Sequence, residues 1–296
     1  MEVKIAVAGN QWITQYLIES MVKSGFKPYL IVNNHPNKSK SISGYVDLKK
    51  ICHKYGIKIY RPNKYSLKTR LDEEKLKREI DLLYVFGWQR LIPEWLIDSC
   101  SKGVYGVHGG PLKPPRCRGR AVFNWAIILG YKKFYMYLFS ITVGADEGDI
   151  ADIVEFDIHN EDDVLTLYHK NCIVSSRMFI EFLPKILNGT IKLTKQPKNK
   201  SSFLPKRSPQ NGGINWKESA VRITNLVKAL TRPYPGAFSI LNGVCVYILR
   251  SQIFDSKIEF GNVDPGEIIE VFPNNDFIVA TIDFPMYVRE YYSEEP

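Results

Sequence analysis

Apolar runs of strand length alternate with segments of helical length through the first third of the chain. The first run, Val3 to Ala8, is rich in β-branched residues and is broken by Gly9 and Asn10. Further strands are predicted over Tyr29–Val32, Ile57–Tyr60 and Asp81–Phe86, and helices over Gln11–Lys23, Asp47–Tyr55 and Leu71–Ile80. Strands that alternate with helices predict an α/β fold with a Rossmann-like, mostly parallel sheet. No Gly-x-Gly-x-x-Gly follows the first strand, so dinucleotide binding has little support.

The middle of the chain continues this pattern. Strands are predicted over Val104–Val107, Phe134–Ile141 and Ile153–Ile158, and helices over Ala121–Leu129 and Val164–Leu187. Proline inside a helix removes a hydrogen bond, so we expect the last helix to be broken at Pro184, with Gly189 beyond it. Residues 185–207 then hold seven basic residues and no acidic one, which is typical of a linker.

The pattern changes near residue 208 to one helix followed by short strands. The helix is predicted over Lys217–Leu230, and turn sequences at 242–243, 264–266 and 274–275 separate the apolar runs after it. This order predicts a small β-barrel-like domain. We therefore predict a first domain over 1–189, a basic linker over 190–207 and a C-terminal domain over 208–296.

Residues capable of acid–base chemistry follow two of the predicted strands. His108 comes directly after Val104–Val107 at a Gly-Gly-Pro break, and the acidic run 146–149 follows Phe134–Ile141. Ligands of open α/β sheets bind where strands end, and a histidine beside an aspartate can polarise a carbonyl and move a proton. Spacing alone, however, more often means a structural histidine and a solvated acidic turn.

The stretch from Gly103 to Ile150 resembles the core signature of the formyltransferases that use 10-formyltetrahydrofolate. That family includes methionyl-tRNA formyltransferase and the sugar-nucleotide N-formyltransferases, and its pattern is Asn-x-His, a Leu-Pro-x-x-Arg-Gly loop and then Asp-x-Gly-Asp. His108, Arg118-Gly119 and Asp146-Glu147-Gly148-Asp149 match these positions in order. The segment after residue 208 resembles the family's C-terminal domain, so the resemblance covers most of the chain.

The resemblance implies a formyl transfer to an amine that needs no metal. His108 would donate to the carbonyl oxygen, and Asp146 would orient the imidazole or help to take the proton of the amine. A turn in the family like the one over 87–93 lines the pocket of the pterin ring. The residues implied for the folate are Phe86, Gly87, Trp88, Leu91, Ile92, Val143, Ala145 and Asp146, and those for the substrate are Arg118, Arg120 and Asn124.

Gly106 stands where the family has its asparagine, so one of three expected polar groups is missing. In the family this amide is a second donor to the oxyanion, and losing one such donor typically costs about 100- to 1,000-fold in rate. A backbone N–H, a water molecule or another side chain such as Asn124 would have to replace it.

Composition narrows the classes of partner and the cellular compartment that we expect. The chain has 296 residues with a net charge of +9, which suits nucleic acid and other anionic partners, including nucleotide sugars. No apolar run approaches the roughly 18 residues of a membrane span. The five cysteines are scattered without metal-ligand spacing, so we expect a cytoplasmic protein without structural zinc.

Three functions compete: a sugar-nucleotide N-formyltransferase, a methionyl-tRNA formyltransferase, and a non-catalytic folate- or nucleotide-binding relative, which the glycine at 106 leaves open. Residues 208–296 hold seven Lys and Arg against eleven Asp and Glu, a net charge of −4, so the other residues carry +13. A domain that binds tRNA should be basic, and the sequence therefore favours the nucleotide-linked amino sugar. The identity of the sugar and nucleotide, and whether the chain forms a homo-oligomer, stay open.

Overall fold

The structure is a computed structural model that describes residues 3–40, 42, 44–255 and 257–294. Within them the strands are β1 Ile5–Ala8, β2 Leu30–Val32, β3 Lys58–Tyr60, β4 Leu82–Val85, β5 Val104–Gly110, β6 Arg118–Gly119, β7 Lys133–Ser140, β8 Ile150–Asp157, β9 Phe203–Leu204, β10 Ala237–Leu241, β11 Val244–Ile253, β12 Ile268–Val271, β13 Phe277–Val279 and β14 Met286–Glu294. The helices are α1 Trp12–Lys23, α2 Lys49–Tyr55, α3 Arg70–Leu76, α4 Glu94–Ser99, α5 Val122–Ile128, α6 Val164–Leu187 and α7 Ala220–Leu230.

In the described part of the chain, a seven-stranded sheet has the order β3-β2-β1-β4-β5-β7-β8. The pairs from β3 across to β5 are parallel, whereas β5 and β7 are antiparallel. The expected α/β class with a mostly parallel sheet is therefore confirmed. The sequence pattern missed α4, which begins after Pro93.

Both faces of the sheet are covered. On one face, alternate strand residues pack on α3 and α4 in an apolar cluster made of Ala6, Ala8, Leu30, Val32, Leu67, Leu76, Ile80, Leu83, Trp88, Ile92, Leu96, Cys100 and Val104. On the other face, the buried Tyr84 of β4 donates its hydroxyl to the Phe179 carbonyl of α6 at 2.9 Å. Burial of one large apolar side chain stabilises the fold by about 1.5–3 kcal/mol, so this cluster holds the sheet rigid beneath the loops.

One expected strand end and one expected helix break were wrong, although the bounds of that helix were predicted correctly. Strand β5 runs on through His108 to Gly110, because Gly109 and Gly110 pair with Met136 and Tyr135 of β7. Helix α6 continues through Pro184 to Leu187, and the Asn188 N–H still reaches the Pro184 carbonyl at 3.1 Å. In both places pairing or packing overrides residues that usually end an element.

The C-terminal region is β-rich, as expected. Among its described residues, the strands β10-β11-β14-β13-β12 form a five-stranded antiparallel half-barrel, and α7 packs against β11. The chain divides into two compact units: residues 1–119, 135–156 and 169–203 form one, and residues 120–134, 157–168 and 204–296 the other. The division by sequence at 189 and 208 stays a prediction.

Candidate active site

His108 lies on β5 opposite Tyr137 of β7, so the two side chains leave the same face of the sheet. Their rings meet edge to face with centroids 5.6 Å apart. The His108 Nε2 atom lies 3.3 Å from the Cys117 carbonyl oxygen. Since a carbonyl can only accept, Nε2 carries the proton in this contact.

Asp146 is brought to His108 by a loop that turns back along the sheet. The end of β7, Ser140, pairs with Tyr105 at the start of β5. The strand ends that precede the two predicted catalytic residues therefore do not lie at the same edge of the sheet. The loop over 141–149 nevertheless places the Asp146 Oδ2 atom 3.8 Å from His108 Nε2 and 3.3 Å from the Gly119 N–H. The structure thus brings the two predicted catalytic residues together, by a route that differs from the expected one.

The same loop depends on Gly148. A Cβ atom there would lie 1.6 Å from the Ser140 carbonyl oxygen, whereas one on Gly144 would meet only the carboxylate of the exposed Glu147, which can move aside. The loop is closed at its base, where the Ser140 N–H donates to the Asp149 carbonyl at 2.9 Å. Asp146 itself has a φ of +54°, an unusual conformation for a residue with a side chain. The carboxylate is therefore held by a tight, specific turn.

The place of the missing asparagine is filled by a neighbouring side chain. A Cβ atom on Gly106 would lie 2.8 Å from the Ile141 Cδ1 atom and 3.3 Å from its Cγ1. The apolar tip of Ile141 thus occupies the space beside β5 that a longer side chain at 106 would need.

Arg118 is buried and is held by Gln196, which lies in the segment expected to be a linker. The Arg118 guanidinium donates to Gln196 Oε1 at 2.9 Å, while its Nε atom has no hydrogen-bond partner among the described residues. Gln196 in turn donates to the carbonyls of Asp146 and Gly148, at 3.1 and 2.7 Å. One amide therefore ties Arg118 to the turn that carries the candidate catalytic carboxylate.

The other two predicted substrate residues belong to the second unit. Asn124 is buried, and its amide donates to the Ala229 carbonyl at 2.7 Å and accepts from the Tyr234 hydroxyl at 3.4 Å. Arg120 is exposed. The amide of Asn124 is thus engaged in joining α5 to α7.

The loop after β4, which was assigned to the folate, is pinned to its surroundings. Gly87 has a φ of +78°, and a Cβ atom there would lie 2.7 Å from the Thr14 hydroxyl oxygen. Glycine is therefore needed here because the backbone passes close to the first turn of α1. The Tyr65 hydroxyl accepts from the Gln89 N–H at 2.8 Å, and the Tyr65 ring meets Trp88 edge to face. Phe86, Trp88 and Ile92 are buried, whereas Leu91 is 53% exposed.

Val143 and Ala145, the remaining residues assigned to the folate, are exposed on the loop before Asp146. Val143 is 55% exposed. This loop therefore carries the carboxylate inward and two apolar side chains outward.

Burial decides the protonation of two further groups near His108. Burial, and then the negative charge of Asp146, raise the pKa of Tyr137, whose hydroxyl has no hydrogen-bond partner among the described residues. Burial also raises the pKa of the Cys117 thiol. Both groups are protonated near neutral pH, so Cys117 is poorly suited to act as a nucleophile.

Sequence reasoning missed three residues that shape this site: Gln196, Tyr137 and Tyr65. Gln196 sits in a basic stretch without periodicity, so nothing local marks it. The pairing of β5 with β7 could have drawn attention to Tyr137, since a residue opposite His108 must lie beside it.

Across the residues that the structure describes, no group of three or more His, Cys, Asp or Glu side chains could hold a metal ion. Among the same residues, no helix has the length and apolar character needed to cross a membrane.

Comparisons with known proteins bear on this arrangement. The chain is 29% identical over 272 residues to the bifunctional polymyxin resistance protein ArnA of Wigglesworthia glossinidia brevipalpis, covering 91% of this chain but only 40% of that protein. It is 26% identical over 280 residues to the methionyl-tRNA formyltransferase of Bacillus velezensis, covering 94% of this chain and 86% of that one. The fold matches that of the N-formyltransferase from Helicobacter canadensis, solved with folinic acid and dTDP-3-aminofucose, at 22% identity and a TM-score of 0.71, covering 98% of this chain and all of that one.

Family models describe nearly the whole chain. Residues 2–183 match the formyl transferase domain, and residues 206–295 match the formyl transferase C-terminal domain. The paired His108 and Asp146 lie inside the first match, and the half-barrel lies inside the second. The chain therefore belongs to the formyl transferase family.

Proposed function

We propose that this formyltransferase moves a formyl group from 10-formyltetrahydrofolate to the amine of a nucleotide-linked amino sugar. The observation that carries the proposal is the pairing of His108 with Asp146 at 3.8 Å, on the positions that match the family signature. Of the relatives, the Helicobacter canadensis protein was solved with a folate and a nucleotide-linked amino sugar.

The chemistry follows from the hydrogen bonds that these two side chains can donate and accept. The folate supplies the formyl group in an activated form. His108 carries a proton on Nε2 and donates it in a hydrogen bond to the formyl oxygen, where negative charge develops as the amine attacks. Asp146 holds the imidazole through its negative charge and helps to take the proton that the amine loses. The bond between the formyl carbon and the folate nitrogen then breaks, and the leaving nitrogen takes up a proton, so the products are the formylated amine and tetrahydrofolate.

The residues assigned to the folate fit such a ligand. Leu91 and Val143 are large apolar side chains that the protein leaves more than half exposed, which suits cover by an aromatic ligand. The indole Nε1 of Trp88 is buried without a hydrogen-bond partner among the described residues, so the loop also holds an unused donor. We propose that the pterin binds along this loop and beside Val143, Ala145 and Asp146.

On the substrate side we propose Arg120 as the cation that meets the nucleotide phosphates, because its side chain is exposed. Arg118 is better suited to supporting the turn at Asp146, since it is buried and bound by Gln196. The amide of Asn124 is already engaged by the Ala229 carbonyl and the Tyr234 hydroxyl. The C-terminal net charge of −4 supports a small nucleotide-linked substrate over tRNA.

The test is incubation of the protein with 10-formyltetrahydrofolate and a panel of nucleotide-linked amino sugars, with mass spectrometry of the products. We expect one sugar to gain the mass of a formyl group. Formylation of charged initiator tRNA instead would replace the sugar assignment. Tight folate binding with no formylated amine in the panel would favour a binding role.

A further inference from the structure

Gln196 lies between the two stretches that match the family models, which end at residue 183 and resume at 206. Its side chain is almost fully buried, with 8% of the residue exposed. Every polar atom of its amide is used: Oε1 accepts from Arg118, and Nε2 donates to the carbonyls of Asp146 and Gly148. These three hydrogen bonds indicate that Gln196 holds the turn over 146–148 in place.

By holding this turn, Gln196 fixes the position of the Asp146 carboxylate. The turn holds Asp146 at a φ of +54°, which is unfavourable for a residue with a Cβ, so the surroundings must fix it. Gln196 binds the backbone on both sides of Glu147, while Gly119 and His108 meet the carboxylate itself. Without Gln196, two carbonyl oxygens would lose their donors and the turn would be free to move.

We propose that Gln196 is a positioning residue that sets the place of the Asp146 carboxylate relative to His108 and thereby the rate of formyl transfer. The role rests on the proposed function, because its effect on rate acts through that pair. Displacement of a catalytic group by about 1 Å can cost on the order of 100-fold in rate, and a tightly held turn prevents such displacement.

Two substitutions distinguish the contact of Gln196 with Arg118 from its contacts with the carbonyls of Asp146 and Gly148. Gln196→Met keeps the approximate volume and removes all three hydrogen bonds. Gln196→Glu keeps an acceptor for Arg118 but turns a carboxylate oxygen toward the carbonyls of Asp146 and Gly148, which then repel it. The matched control is Gln210→Met, since Gln210 is an exposed residue in a short 3-10 turn.

We expect both Gln196 variants to lower kcat by about 10- to 100-fold, with little change in KM for the folate. Gln210→Met should leave both constants unchanged. In an Asp146→Asn background, Gln196→Met should have almost no further effect, because the carboxylate that it positions is gone. An equal loss in both backgrounds would overturn the proposal and leave Gln196 with a merely structural role.

Hydrogen exchange gives a readout that does not depend on turnover. We expect faster exchange in Gln196→Met at the Gly119 amide, which donates to Asp146, and across residues 144–149, with protection elsewhere unchanged. Unchanged exchange at these amides would refute the positioning role whatever the enzyme does. Exchange at these amides could rise in Gln196→Met although the wild-type protein formylates no amine. Gln196 would then still hold the turn over 146–148, and the proposed function would fail.

Discussion

At the scale of single residues, the proposed chemistry assigns the transfer to His108 and Asp146. We expect His108→Ala and Asp146→Asn each to lower the rate of formyl transfer by about 100-fold or more, because one removes the donor to the formyl oxygen and the other removes the charge beside it. Asparagine at 146 can still accept from the Gly119 N–H, so the turn should survive. Single-turnover assays measure the rate, and circular dichroism checks the fold.

The matched controls are His53→Ala and Asp98→Asn, which change exposed side chains of α2 and α4. Both controls should turn over at the wild-type rate. Near-normal turnover in a site variant would remove that residue from the mechanism.

Tyr137 carries a second prediction at this scale. Its hydroxyl is buried and lacks a hydrogen-bond partner among the described residues, and an unpaired buried hydroxyl costs about 1–3 kcal/mol. We expect Tyr137→Phe to leave the free energy of unfolding unchanged or to raise it. A hydroxyl kept beside His108 at this cost points to a use in the reaction, so we also expect slower transfer.

Tyr84→Phe is the contrasting control, because the Tyr84 hydroxyl is equally buried but donates to the Phe179 carbonyl at 2.9 Å. It should lower the free energy of unfolding by about 1 kcal/mol and leave turnover unchanged. Thermal unfolding and initial rates provide the comparison. Loss of stability in both variants would show that the Tyr137 hydroxyl has a partner after all.

At the scale of elements, Gly106 on β5 lies beside Ile141, the residue directly after β7, and the Ile141 side chain fills the space that a side chain at 106 would take. The Ile141 Cδ1 atom lies 2.8 Å from where a Cβ on Gly106 would be. We therefore expect Gly106→Asn to destabilise the protein by about 1–3 kcal/mol through overpacking, and to slow transfer. Adding Ile141→Val removes the clashing methyl group, so the double variant should regain stability and turn over faster than Gly106→Asn alone.

The single variant Ile141→Val measures what loss of the methyl costs by itself, about 0.5–1.5 kcal/mol. Additive effects of the two substitutions on stability would show that the residues do not compete for the same space. Turnover of the double variant above wild type would show that the site lacks only the missing amide donor.

Elements are also where sequence reasoning succeeded and failed for identifiable reasons. The strands β1, β2 and β4 were predictable because each is a short apolar run, and local pattern alone defines such runs. The extension of β5 to Gly110 was not, because only the long-range partner β7 holds two glycines extended. The role of Gln196 was equally hidden, since its three contacts reach residues 48 to 78 positions away.

At the scale of the whole molecule, the distribution of charge favours the proposed sugar nucleotide over tRNA. Proteins that bind nucleic acid neutralise phosphates with Lys and Arg, yet residues 208–296 carry a net charge of −4. The basic residues are concentrated instead in the remainder of the chain, including the seven in 185–207. A small anionic substrate needs only a few of these cations at the site, whereas tRNA needs a broad basic surface.

We therefore expect initiator tRNA to bind weakly and not to be formylated when charged with methionine. Binding should be measured at about 50 and 200 mM salt, because each phosphate contact makes affinity fall with salt in a predictable way. A triple variant tests whether the basic segment over 185–207 accounts for any residual tRNA binding. It carries Lys192→Ala, Lys195→Ala and Lys200→Ala. Loss of that binding with unchanged sugar formylation would fit a non-specific contact, whereas tight, salt-steep binding together with formylated methionyl-tRNA would contradict the sugar assignment.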